Sequence, residues 1–309
     1  VAAGALLLLG GCSDGSSSDG AAPATAAPVA GVAEPDLIVP IEGRPSAIAY
    51  GAGVLWVADD GTGVVHRLDP ADGTPLGPPI PVTSAPVAVE VGAGRAWVVD
   101  PSGTLTGIDL GAPSEPALSV ELGGALVDVA VDGEHVWVGD IGAGTVRSVD
   151  ASTGALSAPL PVPGGVVRLA LDEDRLWVSG LEDAVTPIDL PTGPVGEPLT
   201  VGVAPIGMAV GDGSLWVANS EDDTVTHLRG GGPGTGPAWA VGPAPIELAL
   251  VGGDVWVLEQ DAPALTRYRG DGEVVSSVPL PTRPRGLVRT PAGIWIAGVD
   301  ESVVVLVRT

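Results

Sequence analysis

His66, His135 and His227 are the only histidines in this 309-residue chain, and Cys12 is its only cysteine. Imidazoles are the first candidates for metal ligation or for proton transfer near neutral pH. A shared site, however, requires side chains that converge. Counted from the nearest regularly placed tryptophan, His66 lies ten residues after Trp56, His227 eleven after Trp216 and His135 two before Trp137. Three different positions in three different repeats give no common centre. All 13 basic residues are arginines, which excludes a phosphate-binding GxxxxGK loop, and neither HExxH nor a complete EF-hand spacing occurs. A lone cysteine cannot close an internal disulfide.

The carboxylates are far more numerous: 38 Asp and Glu leave a net charge of −25. Such a body repels nucleic acid, whose binding rests mainly on Lys and Arg neutralising phosphates. It does not adhere to anionic lipid by charge alone. Cationic, neutral and metal ligands stay open; no motif calls for a cofactor, and a divalent cation has no specific motif behind it. Two polar sets keep step with the tryptophans. Three residues after each repeat Trp stand Asp59, Asp100, Asp140, Gly180, Asn219, Glu259 and Gly298. Acidic runs such as Glu221, Asp222 and Asp223 continue this set. Asp and Asn at a strand end commonly bond the backbone of the following turn, a local role that leaves ligand binding open. The second set lies two residues after the Pro, or its equivalent, that opens each unit: Ala47, Ala88, Asp128, Arg168, Gly207, Glu247 and Gly286.

The elements that carry these sets follow from the period. Trp56, Trp97, Trp137, Trp177, Trp216, Trp256 and Trp295 are spaced 39 to 41 residues apart, and only Trp239 falls outside the series. A period of roughly 40 residues marks a repeat architecture whose single unit cannot bury its own apolar face. Each unit reads as four short strands bounded by Gly, Pro and acidic turns. In the fifth unit these are the run opening at Pro205, then 214–218, 224–228 and 238–241. The strands are more continuously apolar than a sheet with one wet face, which predicts that both faces are covered. Radially packed four-stranded sheets satisfy this, and the predicted fold is all-β, a seven-bladed propeller. After Trp295 only one further strand remains, 303–307, whereas 36–41 precedes the first complete unit without a partner. The N-terminal strand is therefore predicted to complete the last blade and close the ring.

In this frame the first set lies at turns that share one face, where acidic residues form a rim, with Arg44, Arg283 and Arg285 in the entry loops beside it. Asp59, Asp100, Asp140, Glu221, Asp222, Asp223 and Glu259 become candidate binding residues. The second set lines the central tunnel, where small residues suit the crowded inner ring. Asp128 and Arg168 fall at one level in neighbouring blades with Glu247 further round, either as a structural ion pair or as a ligand site at the tunnel mouth. The tryptophans, one per blade in mid-strand, are read as core.

Pro205 to Val210, then Leu215-Trp-Val-Ala-Asn219 and Asp222-Asp-Thr-Val-Thr226, resemble the YVTN-type repeat, in which an aromatic-Val-x-Asn strand ends in a polar turn. The resemblance spans essentially residues 36–309 and implies a propeller without implying a task. Streptogramin lyases are propellers of similar repeat character that use histidines and a metal ion. The scattered histidines here, and a repeat that is not aromatic-rich, set this chain apart from them.

At the N-terminus, the apolar run 2–9 is too short for a membrane span but has the length of a signal-peptide core. Leu9-Gly10-Gly11-Cys12 resembles the bacterial lipobox, whose cysteine is acylated and becomes the first mature residue. No basic residue precedes the apolar run, so the translation start is expected upstream of Val1 or at a non-ATG codon. Residues 13–33, rich in Ser, Gly and Ala, read as a flexible tether. The expected organisation is a signal peptide at 1–11, a lipidated Cys12 with its linker at 12–33, and a propeller at 34–309. The expected function is a cell-envelope lipoprotein, anchored to the membrane by lipid, on the outer side of the cytoplasmic membrane or in the periplasm. Its monomeric propeller would bind a protein, peptide or small ligand, with a metal-assisted lyase or hydrolase as the alternative.

Overall fold

The computed structural model describes residues 33–82, 84–172, 174–191, 193–230 and 238–309. Cys12, the signal segment and nearly all of the tether lie outside the described residues. Seven sheets of four antiparallel strands form the fold, and no helix occurs among the described residues.

Each sheet follows chain order from the inside outwards, as the fifth blade illustrates with Pro205–Gly211, Ser214–Asn219, Thr224–Arg229 and Ala238–Ala240. The inner strands of successive blades neighbour one another around a complete circle, the seventh touching the first. The exception to chain order is the last blade, in which Pro284–Thr290, Gly293–Gly298 and Val303–Val307 are completed by the N-terminal strand Leu37–Pro40. Its register runs from Leu37 opposite Leu306 to Pro40 opposite Val303.

The continuously apolar strands are explained by what lies between blades. Trp56, Val65 and Ile80 of the first blade pack with Val89, Val98 and Ile108 of the second. The closing contact has the same construction: Trp295, Val304 and Leu306 meet Ile48, Leu55, Val57 and Leu68. The seven repeat tryptophans are 7% exposed or less, and Trp295 also donates its indole N–H to Pro70 O at 2.9 Å. Burying such a ring contributes roughly 3 kcal/mol. The ring is therefore bound by its blade-to-blade cores, the seam between chain ends included.

Tight hairpins join inner and second strands. At Ala52 and Gly53, φ values of 53° and 76° match the primed turn that suits twisted strands. Because strand direction alternates, every hairpin of this kind lies on one face. The turn after each Trp strand and the loop entering each inner strand lie on the other.

Candidate functional site

The residues three after each Trp act first as latches. Asp59 is fully buried, and its Oδ1 accepts hydrogen bonds from the backbone N–H groups of Arg44, Gly61 and Thr62 at 2.9, 2.8 and 3.0 Å. One carboxylate thus ties the turn to the loop that enters the blade. Burial works against its charge, but the hydrogen bonds from Arg44, Thr62 and His66 outweigh it and hold its pKa below the usual value. Asp140 repeats the pattern with Ala125, Gly142 and Ala143. The backbone must leave room for this approach: at Gly43, φ +112°, an added Cβ would stand 1.7 Å from an Asp59 oxygen. Glu259 does the same work with a longer arm, accepting from Gly242 N, Tyr268 OH and Thr266 Oγ1 at 3.1, 2.9 and 3.0 Å. Its burial raises its pKa, against those same donors.

The candidate binding residues therefore divide. Asp59, Asp100 and Glu259 are buried and serve the turns, and Asp140 is half-buried. Glu221, Asp222 and Asp223 are exposed, as are Glu182, Asp183, Asp261, Asp300 and Glu301 in the equivalent turns. This second group makes the accessible acidic rim. Three of its members also fasten neighbouring loops: Asp183 accepts from Ala204 N at 3.2 Å, Asp222 from Val203 N at 3.0 Å and Asp223 from Ala244 N at 2.9 Å.

Inside the rim, the tunnel mouth carries the opposite charge. Arg44 is held by Asp60 at 3.2 Å, and Arg283 donates to Gln260 Oε1 at 3.0 Å. Arg285 is exposed, and its side chain makes no hydrogen bond or ion pair among the described residues. Arg44, Arg168 and Arg283 stand near enough to repel its charge, with Asp60 opposing them.

The tunnel set converges, with one rearrangement of the expected pairing. Arg168 faces Glu247, Nε to Oε1 at 3.6 Å, reaching past the fifth blade, while Asp128 Oδ2 accepts from Leu169 N at 2.8 Å. Gly207 explains the reach. It presents no side chain between them, and an added Cβ there would stand 2.5 Å from Ile246 O. Together with Ser46, Met208, Arg285 and Glu90 these groups line a cavity of about 170 Å³. Burial lifts the pKa of Glu247 to about 7, Arg168 opposing and Asp128 reinforcing the rise; Asp128 is itself raised by burial.

Glu90 was not among the sequence candidates, although the repeat marks it. Its column otherwise contains Ala49, Ala130, Ala170, Ala209, Ala249 and Val288. A single acid among small apolar residues was the available signal.

The histidines do not share a site. His66 Nε2 lies 3.4 Å from Asp59, in the first blade, and His135 opens the Trp strand of the third. His227 is buried in the fifth, stacked 3.5 Å from Trp216. Among the described residues no group of three or more His, Cys, Asp or Glu side chains is arranged to hold a metal ion.

No protein-family model matches the chain, and no curated protein matches it in sequence. Solved structures do match its fold. Selenomethionine-substituted virginiamycin B lyase from Staphylococcus aureus aligns with a TM-score of 0.77 at 13% identity, over 88% of this chain and 98% of that one. A streptogramin B lyase structure gives 0.76 at 14% identity, over 88% and 97%. A catalytically inactive virginiamycin B lyase from Staphylococcus aureus with quinupristin gives 0.76 at 14%, over 88% and 98%. At such identities the likeness establishes the seven-bladed propeller and nothing of its activity.

Proposed function

We propose that this protein is an envelope-anchored lipoprotein built of YVTN-type repeats, whose propeller is a non-catalytic binding or scaffolding module for a protein, peptide or small ligand. The observation that carries the reading is the exposed carboxylate rim of Glu182, Asp183, Glu221, Asp222, Asp223, Asp261, Asp300 and Glu301 on one face. Such a rim attracts cationic partners and speeds their encounter, and salt weakens it. The register of the closing strand adds support. Leu37 pairs with Leu306, at the end away from the rim, so a protein held through residues 12–33 turns its rim outward.

Crosslinking in intact envelopes, followed by identification of the captured partner, tests the reading. Neutralising Glu221, Asp222 and Asp223 should weaken capture more than neutralising Asp132, Glu134 and Asp212 in hairpins of the opposite face, and added salt should weaken it too. Equal losses would leave the rim with solubility as its role. Cys12→Ser should abolish fatty-acid labelling and release the protein from membranes; unchanged labelling would refute the anchor.

The alternative, a metal-assisted lyase or hydrolase, is supported by the named activity of proteins that share the fold. Turnover that requires a divalent metal and disappears when the three histidines are replaced would favour it. Full function without those histidines favours binding.

A further inference from the structure

The tunnel chamber contains two charges that the repeat does not call for and that, among the described residues, enter no ion pair; the opposing charge that Arg285 feels is Asp60, already held by Arg44. Glu90 replaces the small apolar residue of its column, and Arg285 stands where the other blades have Ser46, Val87, Val127, Val167, Ile206 and Ile246. The remaining three charges account for one another: Arg168 lies beside Glu247, while Asp128 takes a backbone N–H and feels the Arg168 charge. Glu90 accepts only the N–H of its own neighbour Val91, at 3.1 Å, among the described residues. Arg168 Nε is buried without a hydrogen-bond acceptor.

These groups line one cavity of about 170 Å³, with Ile48, Val89, Val129, Leu169 and Leu287 as its apolar walls. That is below the range of about 300–1,000 Å³ typical of drug-sized ligands, so the occupant is small. The charges are also ordered in depth. Arg285 is the second residue of its inner strand and faces the mouth. Glu90 lies some three residues further along the equivalent strand, about 10 Å deeper at 3.3 Å per residue. Long side chains at both ends shorten the span a ligand must bridge.

From this arrangement we infer that the tunnel mouth is a binding site for a small zwitterion, with its ammonium group against Glu90, its carboxylate against Arg285 and Arg168, and a short apolar spacer between. The site is distinct from the rim and does not depend on any rim partner. An ammonium beside Glu90 provides the counter-charge that the wall lacks, and the carboxylate gives Arg285 a charge-assisted partner. Burial, followed by the Asp128 charge, raises the Glu90 pKa to about 7, so ligand entry near neutral pH expels a proton. The cavity's other charged side chains are Arg168, Glu247 and Arg285; the first and fifth blades supply only the uncharged Ser46, Ala47, Ile48 and Met208.

Isothermal titration calorimetry of the full protein with the ω-amino acids from glycine to 6-aminohexanoate tests the inference, with hexylamine and hexanoate as single-charge controls. At least one member of intermediate length should bind about tenfold or more tighter than either control, the loss expected for one charge-assisted bond. Glu90→Gln and Arg285→Gln should each remove that advantage, whereas Glu115→Gln on an outer loop should not. Titrations in two buffers of different ionisation enthalpy should report proton release that Glu90→Gln abolishes. If no member binds at millimolar concentration, if the single-charge controls bind equally well, or if both tunnel variants bind like the parent, the inference is overturned. A circular dichroism melt of each variant separates loss of binding from loss of fold.

Discussion

Replacing Glu247 with Gln should stabilise the propeller near pH 8 and leave it unchanged below about pH 4. Burial raises the Glu247 pKa from 4.5 to about 7. An acid with a raised pKa holds its proton more firmly folded than unfolded, so stability falls as pH rises between those two values. At 1.36 kcal/mol per pH unit the gap amounts to about 3 kcal/mol. Glu247 is 22% exposed, and solvent screening reduces the effect to about 1 to 2 kcal/mol. Glu90 tilts the curve the same way. His227, whose pKa is depressed by burial and then by Arg229, tilts it the other way: its unfolded form takes up a proton that the folded form refuses, so stability is lost as pH falls through that range. The difference between parent and variant cancels the histidine and isolates Glu247. With about 2 to 4 °C per kcal/mol for a domain of this size, the variant should melt about 2 to 8 °C above the parent near pH 8 and together with it below about pH 4. Melting curves that stay parallel across this interval would refute a desolvated Glu247.

Trp137→Ala, which opens the core between the third and fourth blades, should cost about 3 to 5 kcal/mol in urea unfolding; a cost under about 1 kcal/mol would mean that the ring is not core. Deleting residues 36–41 should lower the melting temperature of the whole ring, because the seventh blade loses its outer strand; an unaltered melt would contradict closure by the N-terminus. Asp59→Ala strips acceptors from three backbone N–H groups and should cost about 2 to 3 kcal/mol. A neutral result in thermal unfolding would mean that the latch is replaceable by water.

The parts legible in the sequence were those that repeat. Trp spacing, turn chemistry and the unpartnered stretch at 36–41 led to seven blades and to the closing strand, because each unit states the same pattern and the exceptions fall at the ends. The candidate site was legible in its composition but less so in its depth. Asp59 and Glu221 look alike as acids after a Trp strand, yet one is buried under an entry loop and the other exposed. The difference depends on Gly43 and on the path of a loop from the preceding blade. Similarly, Asp128 and Arg168 are neighbours in the count, but a missing side chain at Gly207 lets Arg168 face Glu247 instead. Position in a column is a property of one repeat, whereas pairing across a tunnel is a property of the closed ring.

The strand that closes the ring is also the first strand among the described residues, and this gives the molecule a mechanical weak point. A pull arriving along the chain from residues before 33 reaches Asp36, held by Leu306 and Arg308, and then Leu37 and its partner Leu306. Each of the other six outer strands is covalently continuous with its own blade, whereas this one is joined to its sheet only by noncovalent pairing and packing and to the first blade by the short loop 41–44. Tension would therefore peel four residue pairs one after another, starting at Leu37. Releasing them frees chain length and removes the outer strand of the seventh blade, while the other six sheets keep all their strands. The propeller would yield first at its seam, as a clasp does, and re-engaging the same four pairs would restore it once the load is gone.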